Sequence, residues 1–381
     1  MNSFSFISPA KIDIGAGKAK SLGAYLPKGT QKVMLLHGRS LAKKPLLEEI
    51  QVGLCPASVY LYETESGEPS PEGVDAAAAF ARENGIDAVV GIGGGSVMDT
   101  AKAVAALAVN DGSVVDYLEG VGSGKKLENH PLFFVAVPTT SGTGTVATKN
   151  SVISSKTKGF KVSMRDDAMI ADVAVLDPNL TEKMPKSVLA ASGMDAICQL
   201  IESYTTANSN SMTDALALRH TVMAMDALEA VYDTDDLHAR TTLAVCAMVS
   251  GLTLANAGLG VAHGLAAGLG AHTDIPHGAA CGILLPEAIR FNLSKGVTKY
   301  ADIASALEGR RFENPIEAGM VLVERIEALS KKLGLPKDLK SIGLSEADIP
   351  RIAKASMGSS MKKNPAPVTE QDAMDILKKL V

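Results

Sequence analysis

Through roughly the first 180 residues, short β-branched runs alternate with stretches of helical composition, and this alternation narrows the possible folds most. Lys32-Val33-Met34-Leu35-Leu36, Ser58-Val59-Tyr60-Leu61-Tyr62, Asp87-Ala88-Val89-Val90 and residues 133–137 read as strands, with residues 73–84 and 96–109 as helices between them. Strands separated by helices of that length predict a mostly parallel, doubly wound α/β sheet of the Rossmann-like, dinucleotide-binding kind. Beyond Asp177-Pro178 the strand-like runs stop, and long Ala/Leu/Met-rich segments take over. The expected organisation is therefore an α/β domain over residues 1–180 and an all-helical domain over 181–381, without internal repeats.

Ligands of open α/β sheets gather at the carboxyl ends of the strands, so the loops there are the first candidates for a site. Gly91-Ile92-Gly93-Gly94-Gly95-Ser96 follows an apolar strand and precedes a helix. Residues without Cβ let backbone N–H groups approach a phosphate, and the helix N-terminus adds aligned donors. Gly93, Gly94, Gly95 and Ser96 are thus candidate phosphate contacts; a tight connection with no ligand is the plainer alternative. The motif is neither a P-loop nor a strict dinucleotide fingerprint. Asp99, in the first turn of the following helix, is a further cofactor candidate or else half of a surface ion pair with Lys102.

A second loop, Pro138-Thr139-Thr140-Ser141-Gly142-Thr143-Gly144-Thr145, follows the next apolar strand. Its hydroxyls suit a ribose, phosphate or carboxamide, which makes Thr139, Thr140 and Thr143 candidates. A third loop, His37-Gly38-Arg39-Ser40, lacks the acid that would bond both ribose hydroxyls and repel a 2′-phosphate. Gly38 leaves room there, and Arg39 and Ser40 suit that phosphate, so the balance between NAD and NADP leans to NADP. Lys161 and Arg165 are cations that would serve cofactor phosphates or an anionic substrate, or lie solvated.

In the helical half, Asp195 and Gln199 are four residues apart and project from one helix face, with Cys198 and Glu202 on much the same side. His263-Gly264 and Pro276-His277-Gly278 add two glycine-flanked imidazoles in a chain of seven histidines. Spacing alone leaves open a divalent metal site and a set of satisfied core side chains.

The balance of the chain excludes other classes. A net charge of −5 with no basic stripe argues against nucleic acid. The longest apolar runs are far too short to span a bilayer, and the N-terminal residues have no signal-peptide pattern. Four cysteines at unpaired spacing, Cys55, Cys198, Cys246 and Cys281, point to a cytoplasmic protein without a disulfide framework.

The motifs Gly93-Gly94-Gly95-Ser96-Val97-Met98-Asp99-Thr100-Ala101-Lys102, Pro138-Thr139-Thr140-Ser141-Gly142-Thr143-Gly144, Asp177-Pro178 and Gly193-Met194-Asp195-Ala196, with the His263 and His277 contexts, resemble those of the iron-containing (group III) alcohol dehydrogenases over nearly the whole chain. The resemblance implies a dinucleotide-binding domain, an all-helical domain and a cleft between them, the architecture shared with dehydroquinate synthase. It also implies hydride transfer between NAD(P)H and an aldehyde or primary alcohol, with Fe²⁺ or sometimes Zn²⁺ polarising the oxygen, in at least a dimer. Asp195, His263 and His277 match three of the family's four metal ligands. The sequence departs from the family at three positions: Gln199 replaces the fourth ligand, a His; Ala267 replaces a further His; and Val146 replaces a Glu. Expected roles follow: Asp195, Gln199, His263 and His277 around the metal, and His263, His277, Gln199 and His272 in catalysis, with His272 standing in for the missing acid/base group. The alternatives are a metal-independent reductase of an anionic carbonyl compound, similar to maleylacetate reductases, a lyase resembling dehydroquinate synthase, and a nucleotide-binding protein without turnover.

Overall fold

A computed structural model of the chain describes residues 3–43, 45–155 and 157–381. Two compact units partition the chain, one formed by Ile7–Thr140 with Gly144–Glu182 and the other mainly by Lys183–Val381 with Ser141–Thr143.

The first unit is built on eight strands: β1 (Lys11–Ile14), β2 (Lys32–His37), β3 (Ser58–Glu63), β4 (Ala88–Gly93), β5 (Phe133–Pro138), β6 (Asn150–Ser155), β7 (Phe160–Arg165) and β8 (Val173–Leu176). Its α-helices are α1 (Arg39–Ala42), α2 (Pro45–Val52), α3 (Pro71–Asn84) and α4 (Gly95–Leu107). Six strands form one sheet in the order β1-β8-β5-β4-β2-β3, and every pairing in it is parallel. β2, β4 and β5 are buried almost throughout, as strands covered by helices on both faces must be. Their apolar runs are therefore continuous rather than alternating, and the four strands expected from composition all appear in this sheet.

The chain leaves β2 toward β3 on one side and enters β4 on the other, so the topological switch lies between β2 and β4. Register places His37 beside Ile92 and Gly93 beside Pro138, which lines up the loops after β2, β4 and β5 at one sheet edge. β6 and β7 form a separate antiparallel hairpin that the composition does not announce. Asp177, at the end of β8, accepts hydrogen bonds from the backbone N–H groups of Gly17, Ala19 and Asn179. The Asp177-Pro178 motif thus pins the last strand to the first crossover.

The second unit is helical: α5 (Lys186–Thr205), α6 (Ser211–Thr234), α7 (Leu237–Ala257), α8 (Val261–Gly270), α9 (His277–Ser294), α10 (Tyr300–Glu308), α11 (Pro315–Lys332), α12 (Ile349–Ala355), α13 (Ser359–Lys363) and α14 (Glu370–Lys378). α5 is the central element: from Gly193 to Thr205 every residue is buried, and it packs on α6, α7 and α9. α7 is long and apolar enough to cross a membrane by length and composition alone, which the sequence reading did not anticipate. Most of it is buried, and its apolar surface is used in packing on α5 and α6.

Candidate active site and metal centre

At the sheet edge, β4 runs directly into α4. An added Cβ at Gly93 would stand 2.5 Å from the Val97 side chain, so the close turn requires glycine there. α4 begins at Gly95 with Gly94 as its cap residue, which has no side chain to cap it. Its first-turn donors and positive dipole end are thus left for an external acceptor. Thr139 continues from β5 and donates its backbone N–H to Gly93 O, which ties the two loops together. Gly38 caps the short α1, and Arg39 and Ser40 are exposed beside it. Arg39 Nε lies 3.8 Å from Glu63 Oε1 at the neighbouring strand end.

Asp99 and Lys102 do not form a surface pair; both are buried. Asp99 accepts from Thr145 Oγ1 at 2.6 Å and from the Val152 N–H at 3.1 Å. Lys102 Nζ donates to the carbonyls of Thr145, Thr148 and Asn150 at 2.7–2.8 Å. Burial raises the Asp99 carboxyl and pushes Lys102 down to about 8, with each partner's charge opposing the shift. These side chains anchor α4 to the β6–β7 hairpin and the turn before it. Lys161 is ion-paired with Glu68 and Arg165 with Glu119, so neither lies solvated and unpaired.

In the helical unit, Asp195 projects from α5, His263 from the first turn of α8 and His277 from the first residue of α9. Gly278 is what allows α9 to close on α5: a Cβ there would lie 1.9 Å from Ala191 O and 3.0 Å from Asp195 Cβ. His263 Nε2 is 3.2 Å and His277 Nε2 3.9 Å from Asp195 Oδ1. A fourth donor, absent from the expected set, joins them. Cys281, one turn after His277 in α9, places Sγ 3.8 Å from both Asp195 Oδ1 and His277 Nε2. The ligand atoms of Asp195, His263, His277 and Cys281 all lie within 4.8 Å of one another.

Glu202 orients this cluster from behind. Its Oε2 is 2.7 Å from His263 Nδ1, and its two oxygens accept from the backbone N–H groups of Gly260, Ala262 and His263. One carboxylate thus caps α8 and fixes which imidazole nitrogen faces Asp195. Gln199, one turn from Asp195, has its amide oxygen 2.7 Å from Ser250 Oγ and its amide nitrogen 3.5 Å from Thr143 O. Both ends of that amide meet protein groups. Thr143 therefore enters through its carbonyl, on an exposed residue of the helical unit. His272 is not brought to the cluster; it is exposed in the turn after α8. Ala267 is exposed on α8, and Val146 is buried near β6.

Electrostatics favour a cation in the cluster. Burial alone would depress His263 and His277, but the Cys281 thiolate and Asp195 outweigh it and raise both. Burial opposes a thiolate at Cys281 as well, yet the Cys198 thiol and the two imidazoles hold its pKa well below the usual value. Cys198 itself is raised by burial and by Cys281. His277 Nδ1 is buried with no hydrogen-bond partner among the described residues, whereas Nε2 faces the other donors. Two imidazoles, a carboxylate and a thiol, converging where only His277 is partly exposed and with an oriented His263, fit a divalent metal.

Comparison with known proteins agrees with this construction. The model of the iron-containing alcohol dehydrogenases matches residues 9–178, and that of the C-terminal part of the Fe-containing alcohol dehydrogenase family matches residues 189–381. The chain is 35% identical over 350 residues to long-chain-alcohol dehydrogenase 1 of Geobacillus thermodenitrificans, covering 90% of this chain and 88% of that one. It is 32% identical over 386 residues to the NAD-dependent methanol dehydrogenase of Bacillus methanolicus, covering 98% of each. Its fold matches a crystal structure of 1,3-propanediol oxidoreductase with a TM-score of 0.93 and 27% identity over the full length of both chains. With both halves matched in order, the chain belongs to the iron-containing alcohol dehydrogenase family.

Proposed function

We propose that this protein interconverts a small uncharged aldehyde and its primary alcohol with a nicotinamide dinucleotide as hydride partner, using a divalent metal, Fe²⁺ or alternatively Zn²⁺, held by Asp195, His263 and His277. The observation that carries this reading is the convergence of those three side chains from three different helices onto one point, with Asp195 and His263 buried and His277 half-buried. A metal held there would supply Lewis-acid polarisation of the substrate oxygen.

The rest of the work falls to the chain's own groups. Backbone N–H groups at the start of α4 would hold the pyrophosphate, with Thr139 and Thr140 beside them. Glu202 accepts the Nδ1 proton of His263 and keeps Nε2 directed at Asp195. The buried run of α5 excludes water from that side of the site. Gln199 hydrogen-bonds Ser250 and Thr143 and so braces the wall one turn from Asp195.

Two features support an uncharged substrate over an anionic one. Lys161 and Arg165, the cations offered for an anion, are already paired with Glu68 and Glu119. The long-chain and methanol dehydrogenases to which the chain is similar are, by their names, enzymes of uncharged alcohols. Exposed Arg39, with no acid among Gly38, Arg39 and Ser40, supports acceptance of NADP as well as NAD. We read the protein as cytoplasmic, an assignment supported by its four free cysteines, and as at least a dimer by its family.

Aldehyde-dependent loss of NADH or NADPH absorbance tests the activity. The expected result is turnover with short uncharged aldehydes, abolished in His277→Ala. Cofactor binding with no turnover across neutral and anionic carbonyl compounds would overturn it.

A further inference from the structure

We propose that Cys281 is a metal ligand in this protein and that Gln199 is not, so that the site holds its ion with one carboxylate, two imidazoles and one thiolate. The inference rests on the metal in the proposed function, and it concerns how this chain holds that metal.

Four observations carry it. Cys281 lies one helical turn after His277 on α9, and at that spacing two side chains share a face. Its sulfur is 3.8 Å from His277 Nε2 and 3.8 Å from Asp195 Oδ1, Asp195 Oδ1 is 3.2 Å from His263 Nε2 and 3.9 Å from His277 Nε2, and no two donor atoms are more than 4.8 Å apart. Around a tetrahedral ion with metal–N/O bonds of about 2.05 Å and a metal–S bond of about 2.3 Å, donor–donor edges are roughly 3.4–3.6 Å. The four named edges thus bracket those of a four-coordinate site and need to move by only a few tenths of an ångström. Cys281 is fully buried, with no solvent shell to give up when the ion enters.

Gln199 is also buried and one turn from a ligand, Asp195, but its amide is engaged elsewhere. Its amide oxygen is 2.7 Å from Ser250 Oγ, which also lies 2.7 Å from Ala247 O. If Ser250 gives its single proton to Ala247, the amide turns over and its nitrogen donates to Ser250. Either orientation ties Gln199 to α7. A neutral amide is also a weaker donor than the thiolate available across the site. Loss of an imidazole at residue 199 is therefore compensated from α9, and the set becomes softer, which moves its preference toward Zn²⁺ and Fe²⁺ and away from oxygen-seeking ions.

The test is cobalt substitution of the full-length protein, read by absorbance rather than by turnover. Stripped protein reloaded with one equivalent of Co²⁺ should show an intense near-ultraviolet thiolate-to-metal charge-transfer band. Cys281→Ala should lose that band and weaken Co²⁺ binding by roughly 100-fold or more, while still melting cooperatively. Cys281→Ser, which keeps size and polarity, should lose the band too. Cys198→Ala and Gln199→Ala should each retain it. No band in cobalt-loaded wild type, or a band that persists in Cys281→Ala and disappears in Cys198→Ala, would overturn the assignment. So would loss of stoichiometric binding in Gln199→Ala with binding unchanged in Cys281→Ala. Each of those results leaves aldehyde reduction unaffected as a separate question, whereas failure to bind any divalent ion would remove the metal from the proposed function as well.

Discussion

His263 Nδ1 lies 2.7 Å from Glu202 Oε2, and the same carboxylate caps the helix that carries His263. One buried side chain therefore fixes the rotation of the imidazole and the position of its backbone. Replacing Glu202 with Gln keeps one acceptor oxygen but removes the charge that both the Nδ1 proton and the α8 dipole face. The expected outcome is a loss of metal affinity of about 10- to 100-fold, read by competition with a chromophoric chelator. Unchanged affinity would mean that the orientation of His263 is set by packing alone.

Metal uptake should release protons. In the metal-free site His263 stands well above its ordinary pKa and His277 is raised, because nearby negative charge outweighs burial. The imidazoles therefore keep to higher pH the protons that an incoming ion must displace, whereas Cys281 is held toward its thiolate. The sign follows: affinity rises with pH until the imidazoles are neutral and falls as pH drops. About one to two protons per ion should appear, or roughly ten- to a hundredfold in affinity per pH unit near neutrality. Zn²⁺ titration by calorimetry in two buffers of different ionisation enthalpy measures the number, and no release at pH 7 would contradict the raised imidazoles.

Much of this architecture is legible in the sequence, and the exceptions have identifiable causes. β2, β4 and β5 are apolar on both faces, so composition alone marks them. The β6–β7 hairpin is short, polar and only half buried, and nothing in Asn150–Ser155 separates it from a loop. Missing β6 also caused the misplacement of Asp99 and Lys102. Oppositely charged residues three apart on a helix are usually solvated, and only the hairpin packed on α4 makes them internal. α8 and α9 are rich in glycine, and α9 contains Pro286, so intrinsic propensity argues against helices that burial then enforces. Asp195, His263 and His277 stood out by residue type. Cys281 did not, although the four-residue step from His277 was the available signal once α9 is helical. Nothing in the sequence marks where α8 stops, and its end at Gly270 leaves His272 in an exposed turn.

The buried Asp99 and Lys102 offer a test of how α4 is held. Burial moves both toward neutrality, so the pair costs desolvation and is kept in place by its hydrogen bonds to β6 and the preceding turn. Lys102→Met leaves three carbonyls without their donor and the buried Asp99 carboxyl without its neighbouring cation, and should cost about 3–5 kcal/mol. Asp99→Asn with Lys102→Met should cost less than the sum of the singles, with a coupling of about 1–3 kcal/mol. Urea unfolding of the four proteins gives the cycle, and strict additivity would show that the two side chains act independently.

Cofactor choice should turn on Arg39. The loop after β2 stands at the topological switch, beside the glycine turn after β4, where the adenosine ribose of a dinucleotide is expected. Arg39 is exposed there, and its 3.8 Å approach to Glu63 is an exposed pair that contributes little and leaves the guanidinium free to exchange partners. A 2′-phosphate would gain a charge-assisted hydrogen bond from it of about 1.5–3 kcal/mol. Arg39→Asp removes that bond and adds a carboxylate that repels the phosphate but accepts from ribose hydroxyls. The kcat/KM with NADPH should therefore fall by at least about 10- to 150-fold, while that with NADH holds or rises. Steady-state rates with both cofactors at one fixed aldehyde concentration measure the ratio. Equal losses with both would mean that Arg39 supports the loop rather than reads the ribose, and would leave NAD as the natural partner.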